Sequence, residues 1–154
     1  DAVVVEKEWG WIEEINLTYV VVRLWDLRRL VLPITYFTEN PFQNWTRNNA
    51  QILGSVFLYV DYSMPLEPLR QHFEKVLSET KLWDQETQVL QVTDTTEKTM
   101  TIRMLMTAQN SPTAFDLRCY VREKMIEFIQ ENYPHGLPQV RATLTAPAAA
   151  ENEL

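Results

Sequence analysis

Long apolar runs, cysteines and glycines are all scarce in this sequence of 154 residues. Its longest apolar stretches, such as Val56–Val60, fall far short of the roughly 20 residues that a membrane-spanning helix needs, so we expect no part of this chain to cross a bilayer. The single cysteine, Cys119, excludes an internal disulfide, and its place in a helical pattern predicts a small buried hydrophobe. The three glycines are scattered, which excludes a Gly-rich phosphate-binding loop.

Basic residues are neither abundant nor clustered. The formal charge is −7, with five basic and seven acidic side chains in residues 1 to 47 and nine and fourteen in residues 48 to 154. Nucleic-acid binding draws on clustered Lys and Arg side chains that neutralise phosphates, so this balance disfavours a nucleic-acid partner. A small local patch around Arg23, Arg28 and Arg29 stays open.

The residue patterns of enzymes and metal sites are also missing. His72 and His135 have no His, Cys or carboxylate nearby at zinc-ligand spacing, and we expect both at the surface. The serines fit no nucleophile-elbow pattern. The adjacent Glu13 and Glu14 point to opposite faces of a strand and cannot act together on one substrate. We therefore predict that the chain is not an enzyme and uses no cofactor or metal.

Residues 1–48 have the pattern of a small all-β domain. Short runs rich in β-branched and aromatic residues predict five strands, and five strands in fewer than fifty residues predict a small barrel. The run Val20–Val22 has no polar alternation, which indicates burial inside the barrel, beneath a second domain, or against a neighbouring subunit. The predicted strands are Val3–Val5, Trp9–Leu17, Tyr19–Trp25, Leu30–Ile34 and Phe42–Trp45.

Residues 49–145 alternate strands and helices. The apolar spacing after Ser63, which we expect to cap the helix, and the Ser111-Pro112 helix start both indicate amphipathic helices. The resulting order, βαββαβ, is typical of a ferredoxin-like α/β sandwich, so the fold class is α+β. Residues 146–154 are predicted to be a flexible tail. The predicted strands are Ile52–Tyr62, Gln88–Thr93, Met100–Thr107 and Val140–Leu144.

Four tryptophans lie in the first domain: Trp9, Trp11, Trp25 and Trp45. Such rings could form a stacking platform for nucleobases. Because no basic residues are interleaved with them, packing in the core and at interfaces is the favoured interpretation. A lipid-facing role near a membrane surface stays open for Trp9 and Trp11.

An ordered set of short motifs closely resembles the signature of the small-conductance mechanosensitive channel family. In the first domain these motifs are Gly10-Trp11-Ile12-Glu13-Glu14-Ile15, then Val22-Arg23, Asp26, and Arg29-Leu30-Val31-Leu32-Pro33. Asn44-Trp45-Thr46-Arg47 resembles the family's Asn-x-Ser-Arg, and Val60-Asp61-Tyr62 resembles its Val-x-Tyr-Asp. The sequence departs from the family pattern at Val21, at Leu27, which replaces a turn glycine, and at Ile34-Thr35.

The motif residues have physical interpretations that concern structure and assembly. Gly10 permits a strained turn or a close backbone approach, Asp26 can hydrogen-bond a tight turn, and Pro33 ends strand pairing. Arg23 forms either an ion pair with a ring neighbour or a solvated surface group. The motif residues with expected structural or assembly roles are Gly10, Arg23, Asp26, Arg29, Pro33, Asn44 and Arg47.

The resemblance implies a homoheptameric ring with Sm-like β domains directly below pore-lining helices and α/β domains around a vestibule. Such a region supports assembly and filters solutes on the cytoplasmic side of the inner membrane, in an ion channel that responds to osmotic stress. The expected partners are other copies of the chain, permeating ions and small solutes, and the membrane, through helices upstream of Asp1. The alternatives are an Sm-like nucleic-acid-binding module and a soluble oligomeric scaffold or sensor.

Overall fold

The computed structural model describes residues 1–47 and 49–145, and these residues form a mixed α+β fold with two antiparallel sheets. The predicted fold class is therefore confirmed. The predicted tail at residues 146–154 lies outside the described residues. The first sheet has the strand order β4-β3-β2-β1-β5. Its strands are β1 (Ala2–Val5), β2 (Glu8–Ile15), β3 (Tyr19–Leu24), β4 (Arg29–Pro33) and β5 (Gln43–Asn44).

Alternate valines build the core of the first sheet. Side chains two positions apart share a face of a strand, so Val3 and Val5 lie on the same side of β1, as Val20 and Val22 do on β3. All four are buried, whereas Val21 on the opposite face is only partly so. The apolar Val20–Val22 run therefore serves mainly the core of its own domain.

A short helix, α1 (Ile34–Glu39), closes this core and was not predicted from the sequence. Ile34, Tyr36 and Phe37 pack against the buried valines. The helix begins directly after Pro33 and is too short for a 3.6-residue period to be visible in the sequence. Strands β4 and β5 form the two ends of the sheet, and no ladder joins them within the described residues. Closure into a barrel stays a prediction.

The second sheet has the order β6-β8-β7 and carries two helices. The predicted alternation along β8 is confirmed, because Met100, Ile102, Met104 and Met106 are all buried in the core that the helices share. The helices contribute apolar stripes that include Phe73 and Leu117. The elements are β6 (Ile52–Val60), α2 (Leu66–Ser78), β7 (Gln88–Thr95), β8 (Met100–Ala108) and α3 (Ser111–Asn132).

The predicted last strand is wrong. After α3 the chain makes a 3₁₀ turn at Pro134–Gly136 and then follows no regular structure to residue 145. Val140 and Leu144 are each 94% exposed, so their spacing reflects no buried strand face. The sheet thus has three strands in the order βαββα among the described residues, and side-chain contacts hold the segment that follows.

The start of α3 agrees with the prediction, whereas the start of α2 does not. Asn110 caps α3 by accepting from the backbone N–H of Thr113 at 3.0 Å, and Pro112 lies in the first turn as predicted. Ser63 does not cap α2, because that helix begins three residues later, after Pro65. Cys119 is only partly buried. No helix within the described ranges has the length and apolar character that crossing a bilayer requires.

Candidate functional site

Gly10 lies where two backbones come too close for any side chain. It sits on β2 opposite Leu24 of β3, with Val3 of β1 on its other side. A Cβ atom at this position would collide with the carbonyl oxygen of Arg23. Of the two roles predicted for this glycine, the structure therefore shows the close backbone approach.

The turn between β3 and β4 is organised by Asp26. Its carboxylate accepts from the backbone N–H of Arg28 at 3.2 Å and from the Nε of the same residue at 2.6 Å. The hydrogen bond from the Arg28 side chain is the main reason that the pKa of Asp26 is lowered. Leu27, between them, has φ 70°, a left-handed conformation that favours glycine. Leu27 thus occupies a backbone conformation that glycine, the residue of the resembling motif, adopts more easily.

Arg29 forms a two-pronged pair with Glu13. The guanidinium donates from Nε at 2.8 Å and from Nη2 at 3.0 Å to the two carboxylate oxygens. These hydrogen bonds lower the pKa of Glu13. The β2–β3 ladder shifts register between Ile12 and Glu14, so Glu13 falls at the irregularity. Glu14 is engaged elsewhere, by the side-chain amide of Asn16 at 3.2 Å. The prediction that the two glutamates point to opposite faces is wrong. Ile12 and Ile15 pair with the buried Val22 and Val20, so the irregularity leaves both glutamates on the outer face.

The possible basic patch is largely paired with carboxylates. Arg28 contacts Glu8 at 3.3 Å in addition to Asp26, and Arg29 is held by Glu13. Arg23 lies over the ring of Trp11, with its guanidinium carbon 5.7 Å from the ring centroid. The positive charges of Arg28 and Arg29 are therefore compensated by neighbouring carboxylates, which weakens any attraction for phosphate.

The Asn44-Trp45-Thr46-Arg47 motif forms hydrogen bonds with the first two residues of the chain. Asn44 donates to the Asp1 carboxylate at 3.1 Å, and the Thr46 hydroxyl donates to its other oxygen at 3.0 Å. The backbone N–H of Ala2 in turn donates to the Thr46 hydroxyl at 3.0 Å. Arg47 is exposed, with no ion pair to another described residue. Pro33 ends β4 and directly precedes α1.

The four tryptophans of the first domain do not form a closed core. They line one side of a cleft of about 920 Å³, and the start of β6 and the first half of α3 line the other. The ring centroids of Trp9 and Trp11 are 4.3 Å apart, and those of Trp9 and Trp45 are 6.4 Å apart. Trp25 is 65% exposed. The cleft is lined by Trp9, Trp11, Trp25, Trp45, Gln51, Ile52, Leu53, Gly54, Ser55, Ser111, Pro112, Ala114, Phe115, Asp116 and Arg118.

Two predicted surface histidines differ from one another. His135 is exposed. His72 is partly buried and stacks on Phe128, with ring centroids 4.0 Å apart and planes 10° from parallel. Across residues 1–47 and 49–145, no three His, Cys, Asp or Glu side chains are grouped so that they could hold a metal ion.

Comparison with known proteins places these features in a family context. Residues 1–47 match the profile described as the β-domain of mechanosensitive ion channels. They include every motif residue singled out in the first domain, from Gly10 to Arg47. No curated protein matches the sequence.

Solved structures share the fold of nearly the whole chain. Closed-state MscS from Helicobacter pylori superposes with a TM-score of 0.78 at 17% identity, covering 96% of this chain and 58% of that one. MSL1 from Arabidopsis thaliana gives a TM-score of 0.62 at 10% identity, covering 92% and 52%. The chain thus spans a little over half the length of these two structures. At such identities the likeness concerns the fold.

Proposed function

With residues 1–47 assigned to the β-domain of the mechanosensitive ion channel family, we propose that this chain is the cytoplasmic region of a tension-gated channel. The resemblance to the small-conductance family is confirmed by that match together with the shared fold. The match to the β-domain is the observation that carries the proposal, because it covers all the motif residues of the first domain, from Gly10 to Arg47. The family is one of channels, and we assign this chain no reaction.

We propose that copies of the chain assemble into a ring, of seven members as the resemblance implies. Among the described residues β4 is an edge strand of the first sheet, so its outer edge is available to a strand of another chain. Val31 on this strand is 58% exposed. The outer face of β6 carries the exposed side chains of Leu53, Phe57 and Tyr59. A row of apolar side chains on one sheet face marks an interaction surface.

In this proposal the ring supports the pore helices and filters solutes, while the tension-sensing helices belong to a part of the protein outside this sequence. Ions and small solutes then pass through the space that the ring encloses. The domain boundary near residue 48 separates the β domain from the α/β domain in each copy. The ring lies on the cytoplasmic side of the membrane.

Patch-clamp recording of the full-length protein tests the channel, and native mass spectrometry tests the ring. We expect pressure-activated currents and a heptameric mass. Phe57→Asp places a charge on the outer face of β6 and should reduce assembly and current, whereas Leu144→Asp, at a fully accessible position after α3, should leave both unchanged. A full-length protein that is monomeric and silent under tension contradicts the proposal and favours a scaffold or sensor.

The alternative of an Sm-like nucleic-acid-binding module gains no support from the surface charges. Arg28 and Arg29 are paired with carboxylates, and the net charge is −7. RNA binding at micromolar affinity or tighter, weakening as salt rises, would nonetheless revive it.

A further inference from the structure

The tryptophan-lined cleft has the size and lining of a small-molecule site. Ligand pockets in proteins have volumes of about 300–1,000 Å³ and mostly apolar walls with a few polar groups. The volume here is about 920 Å³, and four indole rings supply much of the apolar wall. No residue of the family motif lies on the side of the cleft that β6 and α3 form.

Two residues that line this cleft each carry a buried donor without an acceptor among the described residues. One is the indole N–H of Trp9 and the other is the Nε–H of Arg118. Buried polar groups in native structures are nearly always hydrogen-bonded, and those without a partner need an explanation. The third side-chain atom of this kind in the described ranges, Nε of Arg103, does not line the cleft.

Arg118 also brings a positive charge without a carboxylate partner within the described residues. Its guanidinium carbon lies 5.7 Å from the centroid of the Phe115 ring. Asp116 lines the cleft as well, but it is exposed, and residues two apart do not face each other on a helix. The cleft therefore offers a cation in largely apolar surroundings.

Gly54 helps to fix the position of that cation. A Cβ atom on Gly54 would lie 3.1 Å from Cγ and 3.2 Å from Cδ of Arg118, so the missing side chain leaves room for the aliphatic stem of the arginine. The stem packs against β6 while the guanidinium carries the charge. This arrangement orders Arg118 before any ligand arrives.

We propose that the cleft binds a small amphipathic organic anion, of the class of medium-chain or aromatic monocarboxylates. The carboxylate accepts from Arg118, and the apolar body packs against the indole rings. The site lies within one copy of the chain, and its lining includes Leu53, which also belongs to the proposed assembly surface, so the inference requires that assembly leaves the cleft open.

Intrinsic fluorescence provides a direct test, because four of the five tryptophans line the cleft. The fifth, Trp83, donates its indole N–H to the Thr87 carbonyl at 3.0 Å and does not line the cleft. Titration of the chain with omega-bromooctanoate, whose bromine quenches nearby indoles, should give saturable quenching of most of the emission. The neutral amide of the same compound should bind at least about tenfold more weakly, because it lacks the charge.

Arg118→Gln should weaken binding of the acid at least about tenfold, since it removes the cation from a desolvated pair. Lys75→Gln on α2 removes one positive charge that does not line the cleft and should leave the dissociation constant unchanged. Circular dichroism establishes that each variant is folded, and the comparison of acid with amide on the unchanged chain needs no variant. Absence of saturable quenching, or equal affinities for acid and amide, overturns the proposal, as does a cleft filled by another copy of the chain.

Discussion

Arg141 binds the carboxylate of Asp61 with two guanidinium nitrogens, at 2.8 and 2.6 Å, across 80 positions of the chain. The Asp61 side chain is fully buried, whereas the Arg141 side chain is 62% exposed. The backbone N–H and hydroxyl of Ser63 donate to the same carboxylate at 2.9 and 2.6 Å. The residue after β6 therefore anchors the segment that follows α3, where a strand was expected.

Removing Arg141 should release this segment. Arg141→Gln leaves a buried carboxylate to which, among the described residues, only Ser63 still donates. Breaking a buried ion pair from one side is destabilising. We expect a clear fall in melting temperature and faster protease cleavage within residues 137–145. Lys98→Gln, in the exposed β7–β8 turn, is the control and should change neither measurement. Unchanged cleavage in Arg141→Gln would show that the ion pair does not hold the segment.

The same pair should make stability depend on acidity. The hydrogen bond from Arg141, followed by those from Ser63, holds the pKa of Asp61 well below its usual range. A carboxyl whose folded-state pKa is depressed stabilises the fold above its unfolded pKa of about 3.9, and that contribution is lost as the pH falls further. Urea unfolding should therefore show a gap between the unchanged chain and Arg141→Gln that is constant from neutral pH to about pH 5 and shrinks below about pH 4.

Leu27→Gly should stabilise the chain. Leu27 has φ 70° and is 70% exposed, so the leucine gains little from burial while it occupies a strained conformation. The left-handed region costs about 1–2 kcal/mol for a residue other than glycine, and glycine loses about 0.5–1 kcal/mol more through its unfolded-state freedom. The expected net gain in urea unfolding is about 0.5–1 kcal/mol.

A matched substitution distinguishes this cause from a general effect of glycine. Glu97 lies in an exposed turn without a positive φ, and Glu97→Gly should destabilise the chain. If both variants lose stability to the same extent, the leucine at position 27 is not strained.

Local patterns predicted most of the fold because they are carried by neighbouring residues. The alternation Met100, Ile102, Met104 and Met106 requires only one buried sheet face, and the Ser111-Pro112 helix start requires only local capping. The missed helix and the wrongly predicted strand show where local patterns are not sufficient. The six residues of α1 are too few to show a helical period, and Val140–Leu144 has a strand-like pattern without a strand to pair with.

Among the site residues, local roles could likewise be predicted from the sequence, whereas long-range contacts could not. The turn role of Asp26 and the close approach at Gly10 could be predicted because each involves a motif and its immediate strand neighbours. Arg141 was missed, since nothing in a single sequence links it to Asp61 at a separation of 80 positions. The cleft was missed for a related reason: its tryptophans were recognised as a group, but Gly54 and Arg118 join them only through tertiary packing.

Gly10→Ala tests the close approach of β2 and β3. The added methyl group would meet the backbone of Arg23, which cannot rotate away, and we expect a loss of about 1–3 kcal/mol in urea unfolding. Gly54→Ala provides the comparison, because its Cβ atom would lie 3.1 Å from the flexible side chain of Arg118 and should cost less. Equal losses in the two variants would argue against a special backbone constraint at position 10.

His72 should make stability fall in mildly acidic solution. Burial, followed by the charge of Lys75, lowers the pKa of this imidazole, which stacks on Phe128. The unfolded chain therefore takes up the proton more readily than the folded chain. The free energy of unfolding then decreases as the pH falls below the unfolded pKa of about 6.5, and it recovers as the pH rises again. Urea midpoints measured between pH 5 and 7.5 should show this slope in the unchanged chain and in His135→Gln, whose histidine is exposed, but not in His72→Gln. A slope that survives in His72→Gln would assign the pH dependence to other groups.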